Sequence, residues 1–151
     1  MRRIVMLLVL LVVPAIAGAD EPNEMLTEAK AFFKKFVAME QAYDARTADL
    51  YDDSAVLITD RKYPTGQMKT ISIPASTYKP LLRNLMPVMK LRGDWSQYSE
   101  TTYEIEADKV RIRSTRKSML KGYSGPHSLL VGRNTAGEWR IFEERAYSQP
   151  F

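Results

Sequence analysis

The single histidine, His127, follows Gly125-Pro126 at the start of a strand-like stretch. An imidazole titrates near neutrality, so His127 is a candidate general acid or base, with a hydrogen-bonded structural role as the alternative. Two carboxylates join it as candidates, Asp60 on a hairpin and Glu143 in the last strand-like segment. Two further strings of alternate residues draw attention. Val110, Ile112, Ser114, Arg116 and Ser118 share one face of a strand, and Trp139, Ile141, Glu143, Arg145 and Tyr147 share one face of another. On both, apolar residues give way to polar ones. If these faces are concave, the apolar ends build a core and Arg116, Glu143 and Arg145 line a mouth above it. An arginine there can hold a carboxylate or phosphate bidentately, with Glu143 positioning it or acting as base. The competing reading is a solvated sheet face, or cross-strand ion pairs at a dimer surface. Tyr43, late in the first helix, can donate a hydrogen bond to a ligand or simply pack.

Other chemistries find less support. Asp49, Asp52, Asp53 and Asp60 are better explained by turns at helix ends than by a cation site. One histidine and no cysteine leave zinc without its usual ligands, so neither a metal nor a cofactor is expected. No Ser-His-Asp order, phosphate loop or nucleotide fingerprint can be read. The basic run from Arg111 to Arg116, with Lys117 and Lys121, follows Glu104 and Glu106 and reads as a solvated strand face.

The elements that must carry these residues are legible from periodicity. From Asn23 to about Ala45, Met25, Ala29, Phe32, Phe36, Met39 and Tyr43 recur at helical steps, with Lys30, Lys34, Lys35 and Glu40 mostly on the other sides. A helical turn follows over Ala45 to Tyr51. Ala55 to Thr59 reads as a strand, Tyr63-Pro64-Thr65-Gly66 as a turn, and Lys69 to Ile73 as the returning arm of a hairpin. A second helix is expected from about Ser76, capped by Ser76 or Thr77, to Met89, with Pro87 kinking it or ending it early. Alternation then predicts strands over Tyr98 to Glu106, Val110 to Met119, His127 to Arg133 and Trp139 to Tyr147, an antiparallel meander. Helices followed by a meander give an α+β class, with helices on one face of a strongly bent sheet.

The first residues read differently. Arg2 and Arg3 precede an apolar run from Ile4 to Val13, and Ala17 and Ala19 stand where a signal peptidase reads small residues. Residues 1–19 are expected to be a signal peptide and 20–151 a single domain, secreted across the cytoplasmic membrane into a periplasm. The run falls short of the about 20 residues that span a bilayer, so no stable membrane insertion is expected after cleavage. The net charge is +4 for the whole chain; without Arg2 and Arg3 there are 20 basic and 18 acidic side chains. So balanced a surface gives no electrostatic reason to expect nucleic acid as a partner. With no cysteine, packing alone must hold the domain.

The order helix, Leu50-Tyr51-Asp52-Asp53-Ser54-Ala55-Val56, hairpin, helix, meander and Gly137-Glu138-Trp139-Arg140-Ile141 resembles the nuclear transport factor 2-like proteins, closest in style to the SnoaL-like group. The resemblance implies a cone of curved, mostly antiparallel sheet, cystatin-like, closed by N-terminal helices around a pocket, and frequent dimers through the sheet. The family includes ketosteroid isomerase, whose base sits on a hairpin comparable to that of Asp60. Here, however, Tyr43 lies at the far end of its helix and His127 stands where a second acid is expected, which speaks against steroid isomerisation. The reading that results is an exported domain that binds a small, partly apolar molecule, held through an arginine where it is anionic, without turning it over. The alternatives are a cofactor-free acid–base isomerase, dehydratase or hydrolase, and a module that binds a cell-envelope protein.

Overall fold

The computed structural model describes residues 21–149; the expected signal peptide lies outside them. Helix α1 (Pro22–Gln41) starts with proline at its first position, where the missing N–H costs no helical bond. It buries Ala29, Phe32, Phe33, Phe36 and Glu40. These recur at steps of three and four and define a slightly different face from the expected one, since Glu40 turns inward. The helix ends earlier than its apolar periodicity implies. Tyr43 takes a left-handed φ of 55°, Tyr43 N–H donates to the Glu40 carbonyl and Asp44 N–H to the Met39 carbonyl. This paired closure is usually made by glycine. The Asp44 side chain then accepts from Arg46 N–H and starts a short 3-10 helix, Ala45–Leu50.

Strand β1 (Tyr51–Lys62) pairs antiparallel with β2 (Met68–Pro74), the expected hairpin, though both arms are longer than local composition marks. Helix α2 (Ala75–Arg92) begins after Pro74 with no side-chain cap and runs through Pro80 and Pro87, so neither Ser76 nor Thr77 caps it and Pro87 does not end it. Burial of Ala75, Leu82 and Met86 against the sheet offsets the lost backbone bonds. Gly93, at φ 63°, closes the helix in the left-handed conformation that glycine adopts without strain.

Strands β3 (Ser96–Glu106), β4 (Lys109–Ser118), β5 (Ser124–Arg133) and β6 (Trp139–Ser148) form the expected meander. The sheet order is β2-β1-β6-β5-β4-β3. β1 runs parallel to β6, so the sheet is mixed, and β2 and β3 remain as open edges. Register shifts occur between Tyr51 and Val56, between Ser99 and Thr102, and between Leu130 and Val131. Each such irregularity bends the strand that bears it. One face of the sheet, with Leu57, Val110, Ile112, Leu129, Val131 and Ile141, joins Phe32, Phe36, Leu82 and Met86 in a single core. Among the described residues no helix is long and apolar enough to cross a membrane.

Candidate functional site

The last strand decides what faces the helices. Val131 pairs with Ile141 but Leu130 pairs with Glu143, so β6 carries an extra residue at Phe142. Beyond it the alternation inverts. Glu144 pairs with Leu129 and Leu57, Ala146 with Thr59, and Ser148 with Arg61, all on the inner face, while Glu143 and Arg145 pass to the outer one. The expected shared face of Trp139, Ile141, Glu143, Arg145 and Tyr147 is therefore broken after Ile141. No residue type at Phe142 announces this.

Glu144 is the centre of a buried polar network. Tyr51 Oη donates to its Oε2, and His127 Nε2 lies 3.0 Å from its Oε1. His127 is 3% exposed. Its Nδ1 faces Ser114 Oγ at 3.3 Å, its ring stacks on Phe36 and it meets the Tyr98 ring edge-on. An Nε2–H donating to the carboxylate leaves Nδ1 to accept from Ser114, or to donate if the ring is protonated. Burial alone would push the Glu144 carboxyl up. The His127 hydrogen bond and charge, the Tyr51 hydroxyl and the Arg116 guanidinium more than reverse it, so the group titrates below the ordinary glutamate range. Burial drives Tyr51 far above the usual phenol range, which keeps it a neutral donor.

A second carboxylate enters from α1. Tyr98 Oη donates to Glu40 Oε2 at 2.6 Å. Burial raises the Glu40 carboxyl above its ordinary value despite the opposing pull of Arg116 and Tyr98. Arg116 reaches the same region from β4, where its Nε donates to Ser96 Oγ at 2.8 Å. Burial works against its charge, but Tyr98, Glu40 and Glu144 outweigh it, and its pKa lies above the normal arginine value.

Next to this network lies a cavity of about 370 Å³, within the usual size range for small-molecule sites. Its lining combines apolar Phe36, Leu57, Leu82, Met86 and Met89 with polar Glu40, Tyr51, Tyr78, Arg116 and Glu144. Arg61 and Ser148 also line it, cross-strand neighbours on the parallel β1/β6 pair. Arg61 Nε and Ser148 Oγ are the buried side-chain polar atoms without a hydrogen-bond partner among the described residues.

The residues singled out in the sequence divide accordingly. Arg116 lines the cavity, and His127 sits behind Glu144 with its side chain enclosed. Glu143 accepts from Arg111 Nη1 at 2.6 Å on the outer face. Arg145 Nε donates to Asp60 Oδ2 at 2.7 Å and Thr70 to Asp60 Oδ1, so Asp60 and Arg145 form an outer-face pair away from the cavity. Arg145 and the Thr70 hydroxyl hold Asp60 below the ordinary aspartate range, the opposite of what a general base near neutrality needs. Tyr43 packs against the core as the left-handed residue closing α1 and is not among the described residues lining the cavity. Glu144, Tyr51, Tyr98 and Arg61 were not singled out in the sequence, and Glu40, expected on the outer sides of the helix, is buried. Only Glu40 carried a signal, standing four residues after Phe36 and seven after Phe33 on the helix face that is buried. Among the described residues no group of three or more potential metal ligands converges.

No family model matches the chain, and no curated protein matches it significantly. Solved structures do. A candidate dehydratase of the NTF2-like family from Streptomyces avermitilis superposes with a TM-score of 0.60 at 12% identity, over 84% of this chain and 97% of that one. An NTF2-like protein of unknown function from Pseudomonas putida KT2440 gives 0.58 at 12% identity, over 79% and 82%. An NTF2-like protein with a cystatin-like fold from Novosphingobium aromaticivorans gives 0.51 at 15% identity, over 85% and 91%. Likeness at such identities speaks to the fold and not to the chemistry.

Proposed function

We propose that this chain, which has the nuclear transport factor 2-like fold, is an exported domain that binds a small, partly apolar molecule in the cavity between its helices and the inner sheet face. The observation that carries the reading is the mixed lining: Phe36, Leu57, Leu82 and Met86 share one cavity with Glu40, Tyr51, Arg116 and Glu144. An apolar body would gain about 25 cal/mol for each Å² it buries there, and a few fixed polar groups would orient it. Export rests on Arg2, Arg3, the run Ile4 to Val13 and the Ala17/Ala19 pair. Binding without turnover is favoured by the state of Glu144, the carboxylate at the centre of the buried network. Glu144 already accepts from Tyr51 and His127, and a carboxylate whose ionised form is so stabilised is a weak base.

The test is native mass spectrometry of residues 20–151 purified from a periplasm, followed by denaturing extraction. A bound small molecule in the wild type and none in Ala146→Phe, which fills the cavity from β6, is the expected result. An empty protein that also gains no thermal stability from a panel of amphiphilic compounds would overturn the reading.

One observation favours a second reading, a cofactor-free acid–base enzyme. Glu144, Tyr51 and His127 form a contiguous buried relay against the cavity wall, with Glu144 and Tyr51 in the lining. In that case Glu144 would take a proton from the substrate and Tyr51 Oη would donate one. Turnover of an extracted compound that disappears in both Glu144→Gln and Tyr51→Phe would replace the binding reading with this one.

A further inference from the structure

We infer that the ligand's anionic group is a carboxylate and that it is held by Arg61 and Ser148 at the end of the cavity formed by β1 and β6, not by Arg116. This rests on the pocket reading above and adds the polarity of the ligand to it. Arg61 and Ser148 are direct cross-strand partners on the parallel pair, and both line the cavity. Arg61 Nε and Ser148 Oγ are each buried without a hydrogen-bond partner. A buried donor left unpaired is costly, so two of them side by side mark a place that a ligand can complete.

The charges agree. On its other side Arg61 pairs with Lys69 of β2, which places two cations and a hydroxyl in one row across three strands. Like charges directly opposite each other are unfavourable unless an anion lies between them. The neighbouring acid Asp60 points to the outer face and is occupied by Arg145 and Thr70. Asp94, after α2, lines the same cavity but makes an ion pair with neither Arg61 nor Arg116. A guanidinium matches a planar carboxylate through two parallel N–H donors, and Ser148 Oγ can add a third.

Arg116, the residue to which the sequence points, is less suited. It donates to Ser96 and lies beside Glu144, whose stabilised carboxylate would repel an incoming anion. Four residues separate Leu57 and Glu144 from Arg61 and Ser148 on their strands, about 13 Å at the usual rise. A ligand with a carboxylate at one end and an apolar chain running past Leu57 towards Met86 fills that length. A hydroxyl at the far end would find Glu40 and Glu144 as acceptors.

The experiment compares decanoate with decanol, the same chain without the charge, by calorimetric titration of the mature protein, with Ala146→Phe as the control for binding inside the cavity. The expected result is that decanoate binds about tenfold more tightly than decanol, the factor given by one charge-assisted hydrogen bond. Arg61→Gln should bring the two within about threefold by weakening decanoate alone, and Ser148→Ala should weaken decanoate in part. Equal affinity of the wild type for both probes would overturn the inference and leave the pocket reading standing. So would a preference that survives in Arg61→Gln. Failure of the wild type to bind either probe would overturn the inference, the pocket reading being judged by the extraction and the amphiphile panel above, and the comparison in the wild type decides the matter even if a variant does not fold.

Discussion

Ile141 and Glu144 stand three residues apart on β6 and face the same side of the sheet, because the extra residue at Phe142 lies between the Val131–Ile141 and Leu130–Glu143 pairs. In an unbroken strand, residues an odd number apart face opposite sides. The irregularity exchanges one glutamate for its neighbour. Glu144 meets Tyr51 and His127 inside, and Glu143 meets Arg111 outside.

The exchange predicts very different costs for two adjacent substitutions. Glu143→Gln loses one partly exposed ion pair and should change stability by less than about 1 kcal/mol. Glu144→Gln puts an amide against a buried hydroxyl and an imidazole and should cost about 2 kcal/mol or more. Urea unfolding of both variants at neutral pH checks this; equal costs would contradict the exchange, and a larger cost for Glu143→Gln would mean that Glu143 is the inward residue.

Stability against pH should separate the two buried carboxylates by sign. The folded pKa of Glu144 lies below its unfolded value, so its contribution is present above the unfolded pKa and is lost as the pH falls through the folded one. Glu40 is shifted the other way. Its contribution is present below the unfolded pKa and is lost as the pH rises through the raised folded one. As the pH rises from about 4, Glu40→Gln should therefore gain stability relative to the wild type, whereas the deficit of Glu144→Gln should be largest above that pH and shrink as the pH falls. Denaturant midpoints at several pH values read both slopes, and parallel slopes would contradict the network.

His127→Phe isolates the hydrogen bond from the packing. A phenyl ring keeps the stack on Phe36 and the edge contact with Tyr98 but removes the donor to Glu144 Oε1. The expected outcomes are a loss of about 1–3 kcal/mol and an upward shift in the Glu144 titration, followed by carbon NMR of the carboxyl. An unchanged titration would show that Tyr51 and Arg116 hold the charge without the imidazole.

Gly125 pairs with Arg116 on β4. A Cβ built there would collide with Tyr147 Cδ1 and come within 2.7 Å of its Cβ. Gly125→Ala must displace the tyrosine and should cost about 1–3 kcal/mol. Adding Tyr147→Ala should restore part of the loss, because the ring atoms are the nearest obstacle; thermal melts of the single and double variants measure the coupling.

Much of the architecture was legible from residues alone. The steps Ala29, Phe32, Phe36 placed α1, and the alternation Val110, Ile112, Ser114 gave β4 its correct inner face, with Arg116 on it. Such periodicities are local, since each element must bury one face whatever its neighbours are. Glu40 was passed over because a charged residue near a helix end is ordinarily solvated, and only the contact with Tyr98 makes its burial tolerable. The parallel pairing of β1 with β6 could not be read either, for it joins residues more than 80 positions apart. The pairing of the last strand with both its neighbours selects the bulge at Phe142. The bulge in turn decides that Glu144, not Glu143, faces the cavity and that Arg61 and Ser148 end side by side. Periodicity sets which elements form and which faces they bury, but a one-residue shift that inverts every later side chain is decided by non-local hydrogen bonds, which only the tertiary structure contains.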